Sequence, residues 1–245
     1  MRLLSIVIPA YNEEASIGTL LEKIDQVDLE SVGVNKEVIV VDDCSSDRTG
    51  EIVKQHKNVS YYLQPENRGK GSAVKRGISV STGDWVLVQD ADLEYEPNDY
   101  IPMIEAASHD PEHTSIYGSR LLGQCVFSPK GKLIKSKHRD QKFVNWFANR
   151  VLTFFAFMLL GKWITDTLTA YKLYPGKLIR SYKIVTSGFE TDHELTTFLV
   201  RSNIKIIELP IHYYPRSVEE GKKIKTTDFF IALITFLRFR FRRLP

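Results

Sequence analysis

The chain has 245 residues, 43% hydrophobic and 26% charged, ordinary globular proportions that exclude a wholly disordered, collagen-like or disulfide-scaffold protein. Its two cysteines, Cys44 and Cys125, are too few for a disulfide framework and suit a reducing compartment. The net charge of +3 hides a division: residues 1–115 carry 10 Lys/Arg against 21 Asp/Glu, and residues 116–245 carry 23 against 9. Acidic groups suited to a cation therefore gather in one half, and basic groups suited to an anion or a membrane surface in the other.

In chain order, Leu3–Pro9 is an apolar run that reads as a strand; it is too short to be a signal peptide. Ala15, Ile17, Leu20, Leu21, Ile24 and Val27 then recur at helical spacing. Glu37–Val41 predicts a second buried strand, and Asp47 an N-cap for a helix through His56. Strands at Val59–Leu63 and Trp85–Val88 enclose a helix over Gly71–Val80, Pro97 opens another helix, and Ser115–Tyr117 is a short strand. Strand and helix alternating at this spacing imply right-handed crossovers and an α/β fold, a mostly parallel twisted sheet flanked by helices.

Beyond about residue 120 the rhythm fails. Residues 128–142 read as a basic loop, Phe143–Leu160 as an apolar helix, Thr169–Tyr174 as a strand, Asp192–Arg201 as a helix and Lys205–Tyr213 as a strand. The final segment is apolar from Phe229 to Leu237, then alternates Arg238, Arg240, Arg242 and Arg243 with Phe239 and Phe241. That change predicts an amphipathic helix lying on a membrane, since no run in the chain is long enough to span one. Burial in the core is the competing reading for both apolar helices.

The carboxylates fall at strand ends. Asp42 and Asp43 close the second strand, Asp90 and Asp92 the fourth, and PAYNEE follows the first. In an open parallel sheet these ends form one edge, and ligands bind in the crevice there. The first turn has no glycine and so is no G-x-G-x-x-G dinucleotide site, and Gly69-Lys70-Gly71 lacks the spacing of a phosphate loop. A nucleotide lying across the strand ends can still meet Ala10, Tyr11 and Asp43, and the D-x-D of Asp90 and Asp92 offers hard oxygens to Mg²⁺ or Mn²⁺. Asp42 reads equally as a turn former, Lys70 and Arg68 as phosphate contacts or solvated charges, and Asp166 as a site residue or a cap. His193 reads as a surface histidine, and the chain has no zinc spacing.

The series IPAYNEE, VIVVDDCSSDRTGE, NRGKGSAVKRGI, GDWVLVQDADLEYEP and YGSRLL resembles glycosyltransferase family 2, an inverting family with the GT-A fold. ITDTLTAYKLY and ELPIHYYPRSVEEGKKI are similar to the polyprenyl-phosphate sugar synthases, of the dolichol-phosphate mannose and glucose type. The resemblance implies a catalytic domain over 1–225, with a nucleotide-sugar and metal half (1–120) and an acceptor half (121–225), before a membrane-interfacial helix at 226–245. It implies donor contacts from Pro9, Ala10, Tyr11, Glu13, Asp43, Lys70 and Ala91, and a metal held by Asp90, Asp92 and Glu94. Arg120 is expected at the acceptor phosphate, with Arg216 and Lys223 closing over the donor pyrophosphate; Asp92, Arg120, Arg216 and Asp192 form the implied catalytic set.

The activity so implied is metal-dependent transfer of a hexose from a nucleotide sugar, GDP-mannose or UDP-glucose in type, to a polyprenyl phosphate. The expected setting is the cytoplasmic face of a membrane, with peripheral contact to anionic lipid, a membrane-protein partner or a homodimer, and no nucleic acid. The alternative is a hydroxyl acceptor on a glycan or small molecule, which needs Asp192 or Glu194 as base.

Overall fold

The computed structural model describes residues 1–127, 151–215 and 226–242. Its strands are β1 (Arg2–Ala10), β2 (Val34–Asp42), β3 (Val59–Leu63), β4 (Trp85–Val88), β5 (Thr114–Ser119), β6 (Lys172–Pro175) and β7 (Lys205–Pro210). The helices are α1 (Ile17–Gln26), α2 (Thr49–Lys54), α3 (Lys70–Val80), α4 (Tyr100–Ser108), α5 (Arg120–Phe127), α6 (residues 151–160), α7 (Gly176–Ser181), α8 (Thr191–Arg201) and α9 (Thr226–Phe241).

The strands form one seven-stranded sheet in the order β3-β2-β1-β4-β6-β5-β7. All neighbours run parallel except β6, which is antiparallel to both β4 and β5. The expected α/β sheet is therefore present, with one reversed strand in its second half.

Both sheet faces are covered, which is why β1 and β4 read as unbroken apolar runs. Leu4, Ile6 and Ile8 point to one side, where Leu20 and Ile24 of α1 and Tyr100 and Met103 of α4 meet them. Val7, Val86 and Val88 point to the other, against Val74 and Ile78 of α3 and Leu195 and Leu199 of α8. A third, smaller cluster joins Leu152 and Ala156 of α6 to Ala232 and Phe236 of α9.

Several element boundaries differ from the sequence reading, β2 and β5 being longer than expected. The helix after β2 opens at Thr49 and stops at Lys54; Asp47 still serves it, accepting from the Thr49 amide at 2.9 Å and hydroxyl at 2.6 Å. The strand expected at Thr169–Tyr174 starts only at Lys172, where its pairing with Val88 and Tyr117 begins. The strand expected to reach Tyr213 ends at Pro210, leaving a single bridge between Tyr213 and Tyr95. The expected basic loop at 128–142 and the first part of the Phe143–Leu160 helix lie outside the described residues.

Candidate active site

The parallel strands β1 to β5 and β7 end at one edge, and β6, being reversed, begins there. Each connection at that edge carries a polar side chain from the sequence reading. The first two loops are stitched together. Asn12, whose φ of 55° puts it in the left-handed region, accepts from the Ser46 amide at 2.8 Å, and its own amide donates to the Ser45 hydroxyl at 2.9 Å. Pro9 and Ala10 sit in register with Val41 and Asp42, and the Asp43 amide donates to the Ala10 carbonyl at 2.8 Å. Tyr11 is left exposed beyond the strand end, while Glu13 accepts from the Ser16 hydroxyl at 2.8 Å ahead of α1.

The two adjacent carboxylates at the end of β2, Asp42 and Asp43, divide their work. Asp42 forms the turn, accepting from the Ser45 amide and the Tyr61 hydroxyl at 2.8 and 2.7 Å. Asp43 receives the Arg68 and Gly69 amides at 3.0 and 2.7 Å and Gln64 Nε2 at 2.7 Å, so it fixes the loop that delivers Lys70.

Past β4, Asp90 pairs with the Lys70 ammonium at 2.5 Å. Burial opposes the charge on Lys70, but Asp90 and then Asp192 outweigh it and raise its pKa above the ordinary lysine value. Ala91 is buried between the two carboxylates, and Asp92 accepts from the Glu94 amide at 3.1 Å in a tight turn that places Leu93 at a φ of 59°. Glu94 is turned away into the protein, where the Tyr213 hydroxyl donates to it at 2.6 Å.

Among the described residues no three His, Cys, Asp or Glu side chains gather as a group able to hold a metal ion. Of the expected set of Asp90, Asp92 and Glu94, Glu94 accepts from the Tyr213 hydroxyl, while Asp90 and Asp92 stand beyond the end of β4. Two hard carboxylates at one strand end suit Mg²⁺ or Mn²⁺, which commonly complete their shell with water and substrate phosphate. Asp90 and Asp92 would hold such an ion.

On one side of the sheet, Arg120 at the end of β5 grips Asp166. Its Nε and Nη2 donate to the two carboxylate oxygens at 2.7 and 2.8 Å, and its backbone amide donates at 3.1 Å. Burial favours the neutral acid, yet Arg120 prevails and holds Asp166 below the usual carboxylate range. The guanidinium also lies 5.1 Å from the centre of the Tyr213 ring. Arg120 and Asp166 thus form a buried pair and not the surface contact that solvated charges would give.

On the other side, Lys172 is wholly buried at the start of β6. Its Nζ stands 3.7 Å from Asp192, 4.9 Å from the centre of the Tyr117 ring, and makes no hydrogen bond among the described residues. Burial lowers its pKa, which Asp192 and Asp166 only partly offset. The sequence reading missed Lys172; the available signal was a lone charge in the otherwise apolar TAYKLY. Asp192 lies in the first turn of α8, 3.7 Å from Lys172 and near enough to Lys70 to raise its pKa.

Two expectations are corrected here. Glu194 is fully buried and accepts from the Tyr182 hydroxyl, the Val185 amide, and the Thr186 amide and hydroxyl. It is a structural acceptor that cannot reach a substrate proton. His193 is buried, not superficial, its ring 4.9 Å from that of Phe236. Arg216 and Lys223 lie outside the described residues.

A family model described as glycosyl transferase family 2 matches residues 5–174, which contain all of β2 to β5 and most of β1 and β6. The chain belongs to glycosyl transferase family 2. It is 28% identical over 252 aligned residues to an undecaprenyl-phosphate 4-deoxy-4-formamido-L-arabinose transferase of Edwardsiella ictaluri, covering 97% of this chain and 68% of that relative. Its fold is like that of glucosyl-3-phosphoglycerate synthase from Mycobacterium tuberculosis, crystallised with Mn²⁺, UDP and glucosyl-3-phosphoglycerate. The TM-score is 0.65 and the identity 20%, over 98% of this chain and 80% of that one. Mannosyl-3-phosphoglycerate synthase from Rubrobacter xylanophilus gives 0.68 and 17%, over 97% and 73%. As a family 2 member with the GT-A fold, the chain is a glycosyltransferase.

Proposed function

We propose that the chain transfers a sugar from a nucleotide-sugar donor to a polyprenyl phosphate at a membrane surface, with inversion at the anomeric carbon. One observation carries the reading. Helix α9 packs against α8, one wall of the cleft, and α6 packs against α9; the pair leaves apolar side chains uncovered: Phe154 and Met158 on α6, and Phe230, Ile234, Leu237 and Phe241 on α9. His193 near the start of α8 meets Phe236, while Arg201 at its end donates to the carbonyls of Phe239 and Arg242. The two helices therefore run in the same sense. The residues of α9 before Phe236 extend past the cleft end of α8 by about 10 Å, at 1.5 Å per residue. An apolar surface beside the cleft rim is where a lipid-linked acceptor would arrive. The undecaprenyl-phosphate transferase relative supports the same acceptor class.

In this reading Pro9, Ala10, Tyr11, Glu13 and Asp43 line the nucleotide side, and Lys70, Asp90, Ala91 and Asp92 the pyrophosphate side. A divalent cation bound at Asp90 and Asp92 would offset charge on the departing nucleoside diphosphate. Arg120 spends two of its five N–H groups on Asp166, so the rest can meet an acceptor phosphate. A phosphate monoester, with a second pKa of about 6, is already largely ionised near neutrality. Its oxygen forms the new bond to the anomeric carbon as the bond to the pyrophosphate breaks, and no residue has to remove a proton. Arg216 and Lys223 complete the charge stabilisation of the leaving group.

The test is a transfer assay with GDP-mannose and UDP-glucose, Mn²⁺, and two acceptors: a short-chain polyprenyl phosphate and phosphoglycerate. The expected product is the glycosyl phosphopolyprenol, identified by mass. Transfer only to the hydroxyl of phosphoglycerate would overturn the acceptor assignment and favour Asp192 as a base.

A further inference from the structure

Lys70 and Asp192 are brought together by an unusually close approach of two helix starts. The Ser72 amide donates to the Ser187 carbonyl at 2.9 Å, and a Cβ at Gly71 would stand 2.6 Å from the Gly188 carbonyl oxygen. Only glycine lets α3 begin so near the segment that leads into α8. As a result the Lys70 ammonium, the first side chain of α3, is acted on by two carboxylates: Asp90, which it contacts, and Asp192, which it does not.

The two carboxylates differ in how fully they are engaged. The Asp90 oxygen nearest Lys70 is 2.5 Å from it, so a divalent cation bound to that carboxylate and the ammonium would repel each other at close range. Asp192 has capacity to spare. It is only partly buried, its one ionic neighbour among the described residues is Lys172 at 3.7 Å, and no described hydrogen bond ends on its carboxylate. Lys172 in turn is wholly buried and rigidly placed, in register with Val88 on one side and Tyr117 on the other.

We propose that Lys70 is exchanged between two carboxylates: it leaves Asp90 for Asp192 when a divalent cation takes Asp90, and Lys172 is a positioning residue that holds Asp192 ready to receive it. The inference rests on the reading of Asp90 and Asp92 as the cation pair. It makes the ammonium of Lys70 a resident competitor for the cation and makes Asp192, which touches neither the cation nor the D-x-D, a determinant of cation affinity. A cation then has to displace Lys70, so its apparent affinity is reduced by the fraction of molecules in which Asp90 is engaged.

Mn²⁺ binding without nucleotide, followed by electron paramagnetic resonance of the free ion, tests this in the full chain. Lys70→Met should tighten Mn²⁺ binding by about tenfold, by removing the competitor. Asp192→Asn alone should weaken it by about tenfold, by removing the receiving charge. The deciding measurement is the double variant. If the two residues acted only through their separate fields, their effects would add; exchange requires Asp192→Asn to lose its effect once Lys70 is gone. Should Lys70→Met fail to fold, Lys70→Gln removes the charge but keeps a polar donor and carries the same expectation. Equal effects of Asp192→Asn in both backgrounds, or a Lys70 variant with unaltered or weaker Mn²⁺ binding, would overturn the exchange. Mn²⁺ uptake that Asp92→Ala leaves unchanged would instead overturn the cation pair itself, and the exchange with it.

Discussion

Arg120 and Asp166 are 46 residues apart in sequence, yet they meet in a two-pronged contact at 2.7 and 2.8 Å whose carboxylate is wholly enclosed. The pair is anchored further back: Glu208 on β7 accepts from the amides of Thr165 and Asp166 at 2.8 and 3.1 Å. A guanidinium held this way reaches the cleft with its orientation already fixed.

Removing the anchor should therefore cost both stability and rate. Asp166→Asn leaves a mostly buried guanidinium without its counter-charge, and such changes cost about 3 kcal/mol. Urea unfolding should show that loss as a lower midpoint with an unchanged slope. Arg120→Lys keeps the charge but loses the planar fork, so it should raise the acceptor KM about tenfold while the donor KM stays put. An unaltered acceptor KM would assign Arg120 to stability alone.

Glu194 and Asp192 share one turn of α8 and should behave oppositely. Glu194→Gln cannot accept from all four of its donors, so stability should fall by about 1–3 kcal/mol. The folded fraction should retain its kcat. A pH-rate profile that loses a limb in Glu194→Gln would restore Glu194 as a base.

Why was one part of this arrangement legible in the sequence and another not? A strand buried on both faces announces itself as a short apolar run, so β4 is legible to the residue, and Asp90 and Asp92 beyond its end can be placed at the sheet edge. Helix α8 is legible as Asp192–Arg201, one residue short of Thr191–Arg201, but its burial gives no such signal. Thr191, His193, Glu194, Thr196 and Thr197 are polar by type yet all buried, because α8 lies between the sheet and α9; the Thr and Glu side chains bond within the protein, while His193 Nδ1 has no hydrogen-bond partner among the described residues. The Tyr117 hydroxyl bonds Thr196 at 2.8 Å, and the Thr197 hydroxyl donates to the His193 carbonyl at 2.8 Å. A helix covered on both sides shows no polar stripe, and so His193 passed for a surface residue. Lys172 was missed for a related reason: its charge is answered by Asp192 and the Tyr117 ring, neither of them near it in sequence.

His193 makes stability depend on pH in a defined window. Burial, and next the charge of Lys172, lower its pKa from 6.5 to about 4, with Asp192 opposing. The unfolded chain takes up a proton near pH 6.5 and the folded chain only near pH 4, so between them the unfolded state binds more protons. The stability present above pH 6.5 should therefore decline as pH falls toward 4, by about 3 kcal/mol in all. His193→Met should flatten that part of the pH-stability curve. A variant whose curve still parallels the parent between those limits would place the titration elsewhere.

The apolar faces of α6 and α9 yield the last expectation. Phe230, Ile234, Leu237 and Phe241 recur at spacings of four, three and four, so they form one stripe along α9, while Ala232 and Phe236 turn inward against α6. Sixteen residues make a helix about 24 Å long, shorter than a hydrocarbon core of about 30 Å. No helix among the described residues is long and apolar enough to cross a membrane. Arg238 and Arg240 in the last turn suit anionic headgroups, at about 1 kcal/mol each near the surface. The stripe should thus lie in the interface with the arginines at its polar end. Replacing Phe230, Ile234 and Leu237 together by serine removes apolar side chains worth about 1.5–3 kcal/mol each when fully buried, without touching the inward residues. Flotation with anionic vesicles should fall at least tenfold. Transfer to a long-chain polyprenyl phosphate in vesicles should fall with it, whereas transfer to a short, water-soluble polyprenyl phosphate should persist. Flotation that survives the triple substitution would show that the stripe does not meet lipid, and equal loss with both acceptors would show that the substitutions disturb the catalytic domain and not lipid contact.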